Sequence, residues 1–190
     1  MTTFNPDKKF SDKFIPLFDK HIQLYLSTNR DVVNMAWDNK INRIMDKHYH
    51  IDAIATDSIG SQYSIQTKVR RHKHLHYNDF TMEFYQDFEQ KTKGEYFNIL
   101  AQLYFHGYAN KQEDDFDLLY VIDIAPFKKW IGEKYQWIND PSKRVSEMAY
   151  NMTKNNDTEH SKASFLYINY NDIIKERFCQ RIELKPKLES

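Results

Sequence analysis

The chain is short of the residues that cross-link and punctuate proteins. One cysteine, Cys179, stands among 190 residues, which excludes an internal disulfide and suits a reducing compartment. Four glycines and five prolines are too few for a collagen-like or linker-like chain, and no repeat or low-complexity tract occurs. Neither sign of charge is in excess. The 27 basic residues are balanced by 27 acidic ones, so any attraction to a polyanion has to come from a local patch. No apolar run approaches the ~20 residues of a membrane-spanning helix, and no signal peptide is recognisable, so a cytoplasmic location is expected. Aromatic residues are plentiful instead. Thirteen tyrosines and thirteen phenylalanines, with 41% hydrophobic residues, are enough for a real core in a single domain over 1–190.

The most informative stretch is a hairpin pattern. His50 to Thr56 forms one arm, Asp57-Ser58-Ile59-Gly60 the turn, and Gln62 to Arg70 the other arm. Alternation along a strand puts Tyr63, Ile65, Thr67 and Val69 on one face and Ser64, Gln66, Lys68 and Arg70 on the other. Asp52 on the first arm, with Gln66 and Lys68 on the second, can converge on one point. Mg²⁺ takes hard oxygen ligands, commonly one or two carboxylates with waters and phosphate oxygens. Asp52 offers a carboxylate, Gln66 an amide oxygen and Thr67 a main-chain carbonyl, while Lys68 offers positive charge to a reacting phosphate. The plain alternative is a half-exposed hairpin with a polar outer face.

Around this hairpin the periodicities predict further elements. Phe14, Leu17, Phe18, Ile22, Tyr25 and Leu26 recur as a packing helix capped by Ser11 or Asp12, after a loose stretch over 1–10. A second helix is expected from Thr28 to Lys47, with Val33, Trp37, Ile41, Ile44 and His48 as its stripe. Phe80–Tyr85 alternates as a third strand. Glu95–Ala109 reads as a helix with Tyr96, Ile99, Leu100 and Leu103 buried. Leu118–Ile124 reads as a strand buried on both faces, followed by a helix from Pro126 that carries Phe127, Trp130 and Ile131. A polar segment over 139–164, with Lys143 and Arg144, precedes two late strands, Phe165–Tyr170 and Phe178–Leu184.

The hairpin and this order together resemble the PD-(D/E)XK nuclease superfamily, where an aspartate on one strand precedes Glu-x-Lys on the next. Gln66 stands here where most members carry glutamate, a variant known in some branches. The resemblance covers residues 30–137 and implies an α/β (α+β) restriction-endonuclease-like core. That core is a central mixed sheet of four to five strands flanked by helices, with an N-terminal helix and a C-terminal strand pair as additions. It implies a metal-dependent nuclease of phage or restriction type hydrolysing DNA phosphodiester bonds, with Mg²⁺ or Mn²⁺ held by Asp52, Gln66 and Thr67. Lys68 would assist water attack. Members often place an acid on the helix before the first strand, which makes Asp38 a further catalytic candidate.

Lys68, Arg70, Arg71 and Lys73 form the one strongly basic stretch in the chain, since no acid occurs from Ser58 through Asn78. With His72 they are the expected DNA-binding residues, contacting phosphates without reading sequence. His72, His74 and His76 would share a face if the strand continues, where they could ligate a transition metal, although phosphate-backbone contacts or a solvated loop are the plainer readings. A duplex substrate would suit a homodimer. Two other readings stay open: an inactive nuclease-fold module binding nucleic acid or a protein partner, and a structural protein whose hairpin polarity is accidental.

Overall fold

The computed structural model describes residues 6–35, 40–134, 153–155 and 162–184. Asp38, Trp37, Lys143, Arg144 and most of the polar 139–164 stretch lie outside the described residues.

In chain order the elements are α1 (Pro6–Asp12), α2 (Ile15–Tyr25), β1 (Val33–Asn34), α3 (Lys40–Tyr49), β2 (Ala53–Thr56), β3 (Gln62–Arg70), β4 (Asp79–Asp87), β5 (Thr92–Lys93), α4 (Glu95–Asn98), β6 (Leu103–Ala109), β7 (Phe116–Asp123), α5 (Ile124–Lys134), β8 (Thr153–Asn155), β9 (Ser164–Asn169), α6 (Tyr170–Ile173) and β10 (Cys179–Arg181). They build a six-stranded mixed sheet, ordered β1-β2-β3-β6-β7-β10, and a four-stranded sheet, ordered β5-β4-β9-β8. Within the larger sheet only β3 and β6 run parallel.

Alternation along the central strands divides the interior in two. Ile65, Leu103, Phe105, Leu119 and Val121 point to one face and pack beneath Phe10, Phe14, Phe18 and Ile22 of α1 and α2. Tyr104, Tyr108, Tyr120 and Ile122 point to the other, against Phe80, Met82 and Phe84 of β4, Leu166 and Ile168 of β9, and Phe127 and Ile131 of α5. The larger sheet is therefore covered on both faces, which is why β6 is buried at every position. Gly107 on β6 leaves room for Phe116: a Cβ there would sit 2.4 Å from the ring.

The hairpin forms as its residues dictate. β2 and β3 pair antiparallel with Ala53 opposite Ile65. Asp57 Oδ1 accepts the N–H groups of Ile59 at 3.0 Å and Ser61 at 2.9 Å, and Gly60 supplies the left-handed backbone the turn needs, φ 99°.

Five expectations need correction. The helix read over Glu95–Ala109 is a single turn, Glu95–Asn98, and then a strand. The i, i+3, i+4, i+7 stripe was accidental: Leu100 is 61% exposed, whereas the aromatic run after Leu103 alternates between the two cores. The third strand lies not in the main sheet but in the second one. The crossover joining parallel β3 to β6 is thus made by β4, β5 and α4, where a helix is the usual solution. The two late strands are no pair, because β9 joins β4 while β10 joins β7. Where a helix is read from Thr28, Val33–Asn34 forms β1 and the described helix is Lys40–Tyr49, whose apolar stripe faces outward, Ile41 being 68% exposed. Residues 6–10, read as loose, belong to α1.

Candidate functional site

Asp52 sits where the ladder between β2 and β3 runs out. Its main chain still pairs, with N–H donating to the Ile65 carbonyl at 2.8 Å and its own carbonyl accepting Met35 N–H at 2.7 Å. The side chain then replaces the missing strand. Asp52 Oδ2 accepts the Thr67 N–H at 2.8 Å and the Thr67 hydroxyl at 2.9 Å. Burial pushes the carboxyl up to about 7; the Thr67 hydrogen bonds oppose this, and the charges of Asp46 and Glu95 add to it.

On the other face of β3 the parallel register sets Gln66 beside Tyr104, Lys68 beside His106 and Arg70 beside Tyr108. Lys68 Nζ donates to the Thr81 carbonyl on β4 at 3.3 Å and stands 5.9 Å from the centre of the Phe165 ring. Glu83, on the same strand as Thr81, is half-buried. Its carboxyl is raised by burial and by the charge of Glu95, against lowering by Lys68 and by the Glu95 N–H. Glu95, the first residue of α4, is 6% exposed. His106 is fully buried with Nδ1 2.8 Å from the Tyr170 hydroxyl, and burial, aided by Lys68 and Arg70, holds the ring well below its ordinary pKa and neutral.

Several polar atoms in this region have no hydrogen-bond partner although they are buried. They are His50 Nε2, Gln66 Oε1, Glu95 Oε1, the Tyr104 hydroxyl and His106 Nε2. Burial of a polar atom without a partner costs about 1–3 kcal/mol, so a group of them at one place calls for a water or an ion. Glu95 and Asp52 both help push the buried Tyr104 hydroxyl far above its usual range, after burial itself, and Glu95 likewise acts on His50. These side chains are therefore within electrostatic reach of one another. No three His, Cys, Asp or Glu side chains among the described residues close a cage of their own. The set on offer is carboxylate and amide oxygen, which a hard divalent cation accepts together with water.

A cleft of about 630 Å³ opens beside Asp52, Thr67 and Lys68, between α1, α2, β1 and α3. Asp7, Asp12 and Asp46 line it as well, and Lys8 is taken up by Asp12 at 2.9 Å. Acids thus outnumber the cations in it, so a phosphate would enter only with a cation to offset them.

The basic stretch is less open than its sequence suggests. Arg70 pairs with Asp79 and lies 3.2 Å from the Tyr108 hydroxyl. Arg71 pairs with Glu113 at 2.7 Å and stacks 4.0 Å over the Phe10 ring. His72 Nδ1 meets Asp117 at 2.8 Å. Lys73 is exposed. The strand stops at Arg70 and a 3₁₀ turn follows over His72–Tyr77, so the three histidines do not share a strand face.

The structure therefore brings Asp52, Thr67 and Lys68 to one cleft at the end of the hairpin, with Gln66 beside Tyr104 outside the cleft's lining, whereas Arg70, Arg71 and His72 are tied to acids. Glu83, Glu95, His50 and His106 were not among the expected site residues. Only the fold joins them to the hairpin, since Glu95 arrives through the crossover and His50 through the left-handed turn ending α3, φ 50°. The chain matches no family model, no curated protein and no solved structure.

Proposed function

We propose that the protein is a metal-dependent nuclease that hydrolyses DNA phosphodiester bonds. The observation that carries this reading is the meeting of Asp52, Thr67 and Lys68 in one cleft, with Gln66 next to Thr67 along β3 and its Oε1 buried and unpartnered. Asp52 and Gln66, with the Thr67 carbonyl, would hold Mg²⁺ or Mn²⁺. The bound ion supplies Lewis-acid polarisation of the phosphodiester and offsets the acids of the cleft.

The protein's own groups do the rest. The two hydrogen bonds from Thr67 fix the Asp52 carboxylate and leave its second oxygen, Oδ1, for a ligand. The Thr81 carbonyl steadies the Lys68 ammonium at the cleft wall, where it can offset charge developing on phosphorus. One feature favours the second reading, an inactive module that binds nucleic acid or a protein partner: the neutral amide at Gln66, where the resembled family carries a charge. Incubation with circular and linear DNA separates the two. Cleavage with Mg²⁺ or Mn²⁺ that EDTA stops and Asp52→Asn abolishes is expected. DNA that is bound but stays intact with every metal would leave the inactive module.

A further inference from the structure

We infer that Glu95 provides the second carboxylate of the metal site, taking the charge role that Gln66 cannot fill. This rests on the metal-dependent reading above. Four observations converge on it. Glu95 is 6% exposed and forms no ion pair among the described residues. Its Oε1 is unpartnered, and so is Gln66 Oε1. The Tyr104 hydroxyl, on a side chain with no exposure at all, has no partner at ordinary hydrogen-bond distance and angle, yet the Glu95 carboxyl acts on it through hydrogen bonding as well as charge, and Asp52 through charge. The register sets Tyr104 directly beside Gln66. Tyr104 therefore links the strand carrying the neutral ligand to the helix turn carrying the acid.

A cation shared by Asp52, Glu95 and Gln66 Oε1 would answer Glu95 Oε1 and Gln66 Oε1 at once. It would also make the set one hard site of two carboxylates and an amide, the composition Mg²⁺ and Mn²⁺ accept with waters. Glu83 then acts as a positioning residue, since its carboxyl receives the Glu95 N–H and holds the first turn of α4 in place.

Mn²⁺ titration of the full chain, by calorimetry or by loss of the free-ion electron-spin signal, tests this. The wild type is expected to bind one Mn²⁺, and Glu95→Gln to weaken it by more than about tenfold, a loss at least as large as those seen for residues that merely support ligands. Without metal, Glu95→Gln should melt close to the wild-type temperature, because glutamine keeps the size and shape of the side chain, and its melting point should no longer rise with Mn²⁺. Gln66→Glu placed in the Glu95→Gln background should restore Mn²⁺ binding by returning the charge to the other side of the same ion. Wild-type binding that Asp52→Asn abolishes but Glu95→Gln leaves intact overturns the role of Glu95 and spares the metal site. Binding that needs Glu95 in a protein that cuts no DNA upholds this inference and overturns the nuclease. A wild type that binds no Mn²⁺ overturns both.

Discussion

Two halves of one strand face behave differently. At the far end of β3, Arg70 is half-buried, yet its charge is answered. Asp79 takes the guanidinium, and the Tyr108 hydroxyl joins both while donating to the Asp79 carbonyl at 2.6 Å and accepting the Asp79 N–H at 2.9 Å. Four residues earlier, Gln66, Tyr104 and Glu95 bury comparable polarity and leave it unanswered. Both places are polar inclusions between the same two sheets. The satisfied one locks β3 to β4 and specifies how the sheets meet; the unsatisfied one stands ready for something from outside the chain. Buried polarity by itself therefore separates nothing here. Whether it is satisfied does.

The sharpest way to break the contrast is Arg70→Ala. It leaves Asp79 buried without its partner, and removal of one member of such a pair costs about 3–5 kcal/mol. Urea unfolding of the metal-free protein should show that loss, against no loss for Glu95→Gln. A cost below about 1 kcal/mol, the scale of an exposed pair, would mean the network is not locked.

How much of this was legible beforehand follows the same division. The hairpin could be read because its signals are local: alternation at Tyr63, Ile65 and Val69, and Asp57 and Gly60 at the turn. The α2 stripe and the β7 run were legible for the same reason. Glu95 was not, because its electrostatic reach to Asp52 depends on a crossover built from a strand of a second sheet, and no spacing in the sequence encodes that. The stripe Tyr96, Ile99, Leu100 and Leu103 even argued for a helix; tertiary burial of the aromatic run on two faces overrode it. The basic stretch misled in the opposite way. Its lack of local acids was real, but Asp79, Glu113 and Asp117 arrive from other elements to take up Arg70, Arg71 and His72.

Lys68 stands between the two halves, its ammonium donating to the Thr81 carbonyl at 3.3 Å and lying 5.9 Å from the centre of the Phe165 ring. If the cleft cuts DNA, Lys68→Ala should lower turnover by about two orders of magnitude, roughly 2.7 kcal/mol of barrier, while DNA affinity changes little. Equal losses in turnover and affinity would make Lys68 an ordinary phosphate contact instead.

Asp52 gives a pH signature to the unsatisfied half. Its folded pKa lies at about 7 against an ordinary 3.8, so below 3.8 both states hold the proton, and between the two values only the folded state does. Metal-free stability should therefore fall as pH rises through that window, by up to about 1.4 kcal/mol per unit, and level off above it. Asp52→Asn should flatten the slope, and saturating Mn²⁺ should reverse it by demanding the carboxylate. A slope identical in wild type and variant would place the titrating group elsewhere.

The smallest effect concerns the basic stretch and sharpens the contrast from its satisfied side. Arg71 is committed to Glu113 and to the Phe10 ring, whereas Lys73 is exposed next to it. If DNA runs along this edge, each phosphate contact contributes close to one unit to the slope of log affinity against log salt. Lys73→Ala should then reduce that slope by about one, similarly for every DNA sequence. Arg71→Ala should leave the slope nearly unchanged and cost at most about 1 kcal/mol of stability, since its pair is partly exposed. Equal drops in slope for Arg71→Ala and Lys73→Ala would mean that Arg71 leaves Glu113 to meet the phosphate. The acids that hold the stretch would then act as a gate on binding rather than as a fixed part of the fold.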